Sequence, residues 1–262
     1  MPSINYAYVN GKFLPEAEAC VSIFDRGFLY GDGCFETLRL YGGRLFRPLD
    51  HFARLFAGLR LLEIESPFSP EELRAVCRAL SRWNNVTDGV ARIYRTRDSI
   101  VVTVQARQFA PRELRVIISN VTLPPFLSRH KTANRLAYLL AQREAESEGA
   151  DDAILLNSHG SVVELTTSNL FVVKKGQLYT PPLADGPLPG ITRAVVLGLA
   201  RQAGLRVYEL SFRPEFLTNA AEIFATNSLL EIAPVLSWGR PGSVTRRLQT
   251  AYRQLVREEL GL

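Results

Sequence analysis

Ser128-Arg129-His130-Lys131-Thr132-Ala133-Asn134-Arg135-Leu136 is the stretch from which this chain is best read. The 262 residues include 31 basic side chains, yet only Lys12, Lys131, Lys174 and Lys175 are lysines. Lys12 follows an Asn10-Gly11 turn and Lys174-Lys175-Gly176 reads as a hairpin tip, where a solvated ammonium needs no further explanation. Lys131 stands instead just ahead of a long amphipathic pattern, in a chain that uses arginine wherever charge alone would serve. A guanidinium stays protonated and is a poor nucleophile, whereas a desolvated lysine amine attacks aldehydes and forms Schiff bases. Lys131 is therefore a candidate covalent anchor.

Working outward, Glu164 lies in Val162-Val163-Glu164-Leu165-Thr166-Thr167-Ser168-Asn169-Leu170-Phe171, a carboxylate on an otherwise apolar strand, where lack of a partner is costly. Leu188-Pro189-Gly190-Ile191-Thr192-Arg193 opens a helix. Its glycine admits close backbone approach to an anion, the amides of Ile191 and Thr192 point outward at the positive end of the helix dipole, and the Thr192 hydroxyl adds a donor. Thr226-Asn227-Ser228, after the strand Ile223-Phe224-Ala225, offers further donors. Arg54, in Asp50-His51-Phe52-Ala53-Arg54-Leu55, sits beside the apolar stripe of its helix, where a guanidinium needs an anionic partner. Singly, each has a plainer reading: Glu164 as a water-facing edge residue, Arg54 as a surface ion pair, Gly190 as an ordinary helix start. Together they supply what pyridoxal 5'-phosphate requires: an amine for its aldehyde, an acid for its pyridine nitrogen and donors for its phosphate.

Composition narrows the alternatives. With 47% hydrophobic and 22% charged residues the chain can bury a substantial core. No apolar run approaches a membrane span and the opening residues lack a signal-peptide layout, so a cytoplasmic location is expected. Cys20, Cys34 and Cys77 are odd in number and widely spaced, which supports neither a disulfide framework nor a metal site. The net charge of +5 suggests an anionic small molecule rather than nucleic acid, because the arginines are scattered.

Periodicity predicts an α+β chain in two domains: a small N-terminal one over 1–120, a linker over 121–127 marked by Pro124-Pro125, and a C-terminal cofactor-binding domain over 128–262. In the first, hairpins are expected over 5–14 and 34–47, helices from about Leu49 and after Ser69-Pro70, and strands at Ala91–Arg97, Ile100–Gln105 and Leu114–Ser119. In the second, a helix is expected from about Thr132 to Glu148, then strands near Ala153, Val162, Leu170 and Leu178. A helix from Ile191, strands at Leu205–Leu210 and Ile223–Ala225, and a closing helix from Ser243 to Leu260 complete the pattern.

These motifs, in the order lysine, glutamate, Gly-Ile-Thr-Arg and Thr-Asn-Ser, resemble the fold-type IV, or class IV aminotransferase, family from Tyr8-Val9-Asn10-Gly11 to about Pro234. The family includes branched-chain and D-amino-acid aminotransferases and 4-amino-4-deoxychorismate lyases. The resemblance implies a D-amino-acid-aminotransferase-like fold, with a smaller N-terminal domain and a larger β-rich C-terminal one, in a homodimer. It also implies that Lys131 is the Schiff-base lysine and moves the substrate proton, and that Glu164 pairs with the pyridine nitrogen. Arg54, Ile191, Thr192, Thr226 and Asn227 would then hold the phosphate. The run Phe24–Thr37, Leu136 where branched-chain enzymes carry a tyrosine, and Thr226-Asn227-Ser228 are most similar to the lyases. A lyase making 4-aminobenzoate and pyruvate in folate synthesis is thus the first expectation, an aminotransferase for branched-chain or D-amino acids the second, and a non-catalytic cofactor-binding protein the third. On a strand, Arg92 and Tyr94 share one face while Arg95 and Arg97 share the other. Family position assigns Arg92 to the substrate carboxylate, with Tyr30, Phe35 and Thr37 of the glycine-rich hairpin closing the pocket.

Overall fold

The computed structural model describes residues 5–238 and 241–262, and the chain separates into two units. The first takes the described residues up to Phe109 together with His130–Asn134 and Glu259–Leu262; the second takes Ala110–Arg129 and Arg135–Glu258.

In the first unit β1 (Tyr6–Val9) and β2 (Lys12–Pro15) form the expected hairpin, with Asn10 and Gly11 both at positive φ. A short helix α1 (Arg26–Tyr30) precedes β3 (Gly33–Tyr41) and β4 (Arg44–Leu45). Helices α2 (Pro48–Leu61) and α3 (Pro70–Trp83) follow, then β5 (Gly89–Thr96) and β6 (Ile100–Ala106). The sheet runs β2-β1-β6-β5-β3-β4. Its inward face, including Cys34, Leu38, Leu40, Ala91, Ile93, Val102 and Val104, buries the stripe Phe52, Leu55 and Leu59 of α2 and Leu73, Cys77 and Leu80 of α3. Ser69 caps α3 through a complete capping box with Glu72.

The second unit holds β7 (Val116–Leu123), α4 (Pro125–Ser128), α5 (Leu136–Ser147), β8 (Asp152–Asn157), β9 (Val162–Leu165), β10 (Asn169–Lys174), β11 (Gln177–Thr180) and α6 (Ile191–Gln202). It ends with β12 (Val207–Glu209), β13 (Glu222–Asn227), β14 (Glu231–Pro234) and α7 (Ser243–Leu260), whose last two residues belong to the first unit. Two sheets result, β7-β8-β9 and β12-β11-β10-β13-β14. Tyr138, Ala141 and Ala145 of α5 pack on Ala153, Leu155 and Val163. Phe171 and Phe224 stack across β10 and β13 with centroids 5.0 Å apart.

Three features depart from the sequence reading. The strand expected at Leu114–Ser119 as the last of the first domain pairs in parallel with β8, so the residues expected to link the domains lie within the second unit as the end of β7 and α4. Parallel pairing between strands distant in sequence leaves no local pattern to read. The helix expected from Thr132 begins only at Leu136, because Lys131–Ala133 run extended along β3: Phe35 N–H donates to Lys131 O at 3.0 Å and Ala133 N–H to Gly33 O at 2.8 Å. Finally, Tyr30 ends α1 rather than lying in a hairpin; Asp25 caps that helix, and Gly31, at φ 68°, closes it.

Candidate active site

The residues singled out from sequence fall into two clusters, one in each unit. In the first, strand alternation decides everything. Odd residues of β3 face away from α2 and even residues face it. Phe35 pairs with Tyr94 and Thr37 with Arg92 across β3 and β5, so all four side chains share one face. Phe35 and Tyr94 stack with centroids 5.2 Å apart, and Lys131 Nζ lies 4.5 Å from the Phe35 centroid. Arg92 is exposed and makes no hydrogen bond or ion pair among the described residues. Arg95 and Arg97 lie toward the other face as expected; they donate to Glu65 O, and to Leu62 O and Glu63 O, beyond the end of α2. Tyr30 is exposed, with the Arg26 guanidinium 5.2 Å from its ring, and the structure does not gather it with Phe35 and Thr37.

Glu36, between Phe35 and Thr37, points the opposite way and is fully buried. Its Oε1 accepts from Arg54 Nε at 2.7 Å, and its Oε2 accepts from Arg54 Nη2 at 2.8 Å and faces His51 Nδ1 at 2.8 Å. Burial alone would raise the Glu36 pKa, but the charges and hydrogen bonds of Arg54 and His51 hold it well below the usual carboxylate range. The carboxylate is ionised and only accepts, so His51 Nδ1 carries its proton. Burial pushes the His51 pKa down, as do the charges of Arg54 and Lys131, against the pull of Glu36. Arg54 therefore has the anionic partner its helix position demands, but within the protein. Sequence reading missed Glu36 and His51, although Glu36 shares the inward parity of Cys34, Leu38 and Leu40.

In the second unit Glu164 is buried on β9. Its Oε2 accepts from Asn169 Nδ2 at 3.1 Å and Leu188 N at 3.0 Å, while Tyr138 Oη lies 3.4 Å from Oε1. Burial, and the charge of Glu164, raise the Tyr138 pKa, so its hydroxyl stays protonated beside the carboxylate. The Arg135 guanidinium stacks 3.4 Å from the Tyr138 centroid and donates to Thr166 O. Asp152 fixes the same loop by accepting from Thr166 N at 2.9 Å and Thr166 Oγ1 at 2.6 Å. Burial raises its pKa despite these donors.

The donor set for an anion is also here. Gly190 is the N-cap of α6 and offers no capping side chain, so the amides of Ile191 and Thr192 stand at a positive dipole end without a side-chain cap among the described residues. A Cβ on Gly190 would lie 2.0 Å from Asn169 Oδ1, which explains the glycine. Thr226 is 1% exposed and its Oγ1 has no hydrogen-bond partner among the described residues. A buried hydroxyl left in that state points to a missing ligand. Asn227 is different: its Oδ1 accepts from Leu229 N and Leu230 N and its Nδ2 donates to Ser168 Oγ, so its side chain closes a turn and only its backbone remains for an anion. Within the second unit, an orphaned hydroxyl, helix-start amides and a buried carboxylate fit the phosphate and the pyridine nitrogen of pyridoxal phosphate, and Lys131 of the first unit is an amine of the kind its aldehyde needs.

Relatives of known structure and sequence agree. The family described as amino-transferase class IV matches residues 33–238. A putative branched-chain-amino-acid aminotransferase of Methanocaldococcus jannaschii is 34% identical, covering 95% of each chain. An aminodeoxychorismate lyase of Bacillus subtilis is 33% identical over 95% of this chain and 94% of its own. The branched-chain amino acid aminotransferase of Escherichia coli superposes with a TM-score of 0.91 at 27% identity, covering 97% of this chain and 95% of that one. Another branched-chain amino acid aminotransferase, solved with pyridoxamine 5'-phosphate, superposes with a TM-score of 0.89. The chain is a pyridoxal-phosphate-dependent enzyme and belongs to the class IV aminotransferase family.

Proposed function

We propose that this enzyme is a 4-amino-4-deoxychorismate lyase, forming 4-aminobenzoate and pyruvate for folate synthesis. The observation that carries the reading is Arg92: an exposed guanidinium without an ion pair among the described residues, its residue paired across the sheet with Thr37 and on the same face as Phe35. A substrate with two carboxylates needs such a cation beside an apolar wall. Leu136, where branched-chain enzymes carry a tyrosine, supports the same choice.

Bound pyridoxal phosphate supplies an electron sink for the pair left when a proton departs from an amine-bearing carbon. Glu164 would hold the pyridine nitrogen in its protonated form, and Asn169 and Leu188 orient that carboxylate. Arg54, the Ile191 and Thr192 amides, Thr226 and the Asn227 backbone would bind the phosphate. Lys131 would bind the cofactor's aldehyde and take the proton from the substrate carbon at Nζ. In the net reaction that C–H bond and the ring C–O bond to the enolpyruvyl group break, the ring becomes aromatic, and the released enol gains a proton to become pyruvate. Exposed Phe24, Phe28, Leu29 and Tyr30 of the first unit support a homodimer, which light scattering tests.

The experiment is to give the loaded enzyme 4-amino-4-deoxychorismate and follow pyruvate and 4-aminobenzoate. Absence of both products, together with amino transfer from a branched-chain or D-amino acid to a keto acid, would replace the lyase with the aminotransferase reading.

A further inference from the structure

Glu36 and His51 have no role in the proposed reaction, yet with Arg54 they form a closely bonded buried cluster in the first unit. Both residues are buried, and the Arg54 side chain is 10% exposed. The edge of Arg54 carrying Nε and Nη2 is taken by Glu36, so the opposite edge, carrying Nη1, faces away from that acid. Glu36 cannot turn to follow a moving guanidinium, because Oε2 also accepts from His51, one turn earlier on the same helix as Arg54, and from Thr37 N at 3.3 Å.

The pairing also removes net charge. An ionised Glu36, a charged Arg54 and a neutral His51 sum to zero, so the cluster offers direction more than attraction. Its place on β3 gives that direction a use. Phe35, the residue before Glu36, donates its amide to Lys131 O at 3.0 Å on the edge of the same strand. Two consecutive residues thus anchor the segment of the reactive amine and the clamp on Arg54.

We propose that Glu36 and His51 are positioning residues that hold Arg54 in one rotamer with its Nη1 edge toward the cofactor phosphate, and so set the phosphate donor in register with Lys131. The inference rests on Arg54 being a phosphate ligand. A structural acid would need no such selectivity.

The test compares binding of pyridoxal phosphate with binding of pyridoxal, which lacks the phosphate, to the full-length apo chain by absorbance titration. Wild type should prefer the phosphorylated form. Glu36→Gln sets an amide NH2 against at least one of the donors Arg54 and His51; His51→Leu removes the second clamp. Each should reduce the preference by roughly tenfold, with pyridoxal affinity unchanged within about twofold, as expected when one charge-assisted contact loses its alignment. His51→Gln, which keeps a donor, should restore most of it. Equal losses for both ligands, or an unchanged preference, would overturn the positioning role. A wild type without any preference would overturn the phosphate assignment and this inference with it. If Glu36→Gln does not fold by circular dichroism, the two His51 variants carry the same comparison.

Discussion

Glu164→Gln separates structural from chemical roles within a single side chain. Two donors converge on Oε2, Asn169 Nδ2 at 3.1 Å and Leu188 N at 3.0 Å, and Tyr138 Oη lies 3.4 Å from Oε1. A glutamine fits that set: its carbonyl takes the two donors and its amide NH2 faces the tyrosine oxygen, which is able to accept. Two charge-assisted bonds become neutral ones at about 1 kcal/mol each, offset by relief of a buried charge, so the folded state should lose at most about 2 kcal/mol. Cofactor binding should suffer more visibly. A pyridinium paired with a carboxylate gains about 1.5–3 kcal/mol over a neutral contact, and its loss weakens affinity by roughly ten- to a hundred-fold. Turnover should fall further, since the amide does not hold the ring nitrogen protonated. Urea unfolding, cofactor titration and steady-state rates measure the three quantities. Wild-type affinity and kcat in a folded Glu164→Gln variant would refute the assignment of this carboxylate.

Lys131→Ala should abolish turnover while cofactor still binds through its phosphate, and borohydride should no longer add the cofactor's mass to the chain; ordinary activity would end the covalent-anchor assignment. Arg92→Ala should raise KM for a dicarboxylate substrate by roughly tenfold or more, the loss of about 1.5–3 kcal/mol in a charge-assisted contact. Arg95→Ala and Arg97→Ala, which instead release carbonyls beyond the end of α2, should leave KM near wild type, and equal effects from all three would place the substrate carboxylate elsewhere. Glu36 has a folded pKa below its ordinary 4.5, so its contribution to stability is complete above that pH and is lost as pH falls below it. His51 acts in the same direction from 6.5 downward, because the fold keeps it neutral. The unfolding free-energy difference between wild type and Glu36→Gln should therefore shrink as pH is lowered below 4.5 in urea titrations; a difference independent of pH would mean that Glu36 is not ionised in the fold.

Local elements and chemical types are legible in short stretches of the chain. The Asn10-Gly11 turn, the Ser69 capping box, the apolar stripe of α2 and the glycine-led start of α6 are short-range signals, written within a few residues by turn geometry and periodicity. The isolation of Lys131 among arginines and of Glu164 on an apolar strand is legible for the same reason, since it depends on what neighbours each residue. Which groups meet is a matter of packing. Strand pairing brought Arg92 beside Thr37, and helix-on-sheet packing set Arg54 and His51 against Glu36 rather than against solvent. Backbone pairing with β3 kept Lys131 extended where the amphipathic pattern predicts a helix from the next residue. Asn169, Tyr138 and Leu188 converge on Glu164 from three separate parts of the chain. Periodicity records which face a side chain takes, but a partner tens of residues away leaves no periodic trace, so the site's hydrogen bonds and charges follow only from the packed fold.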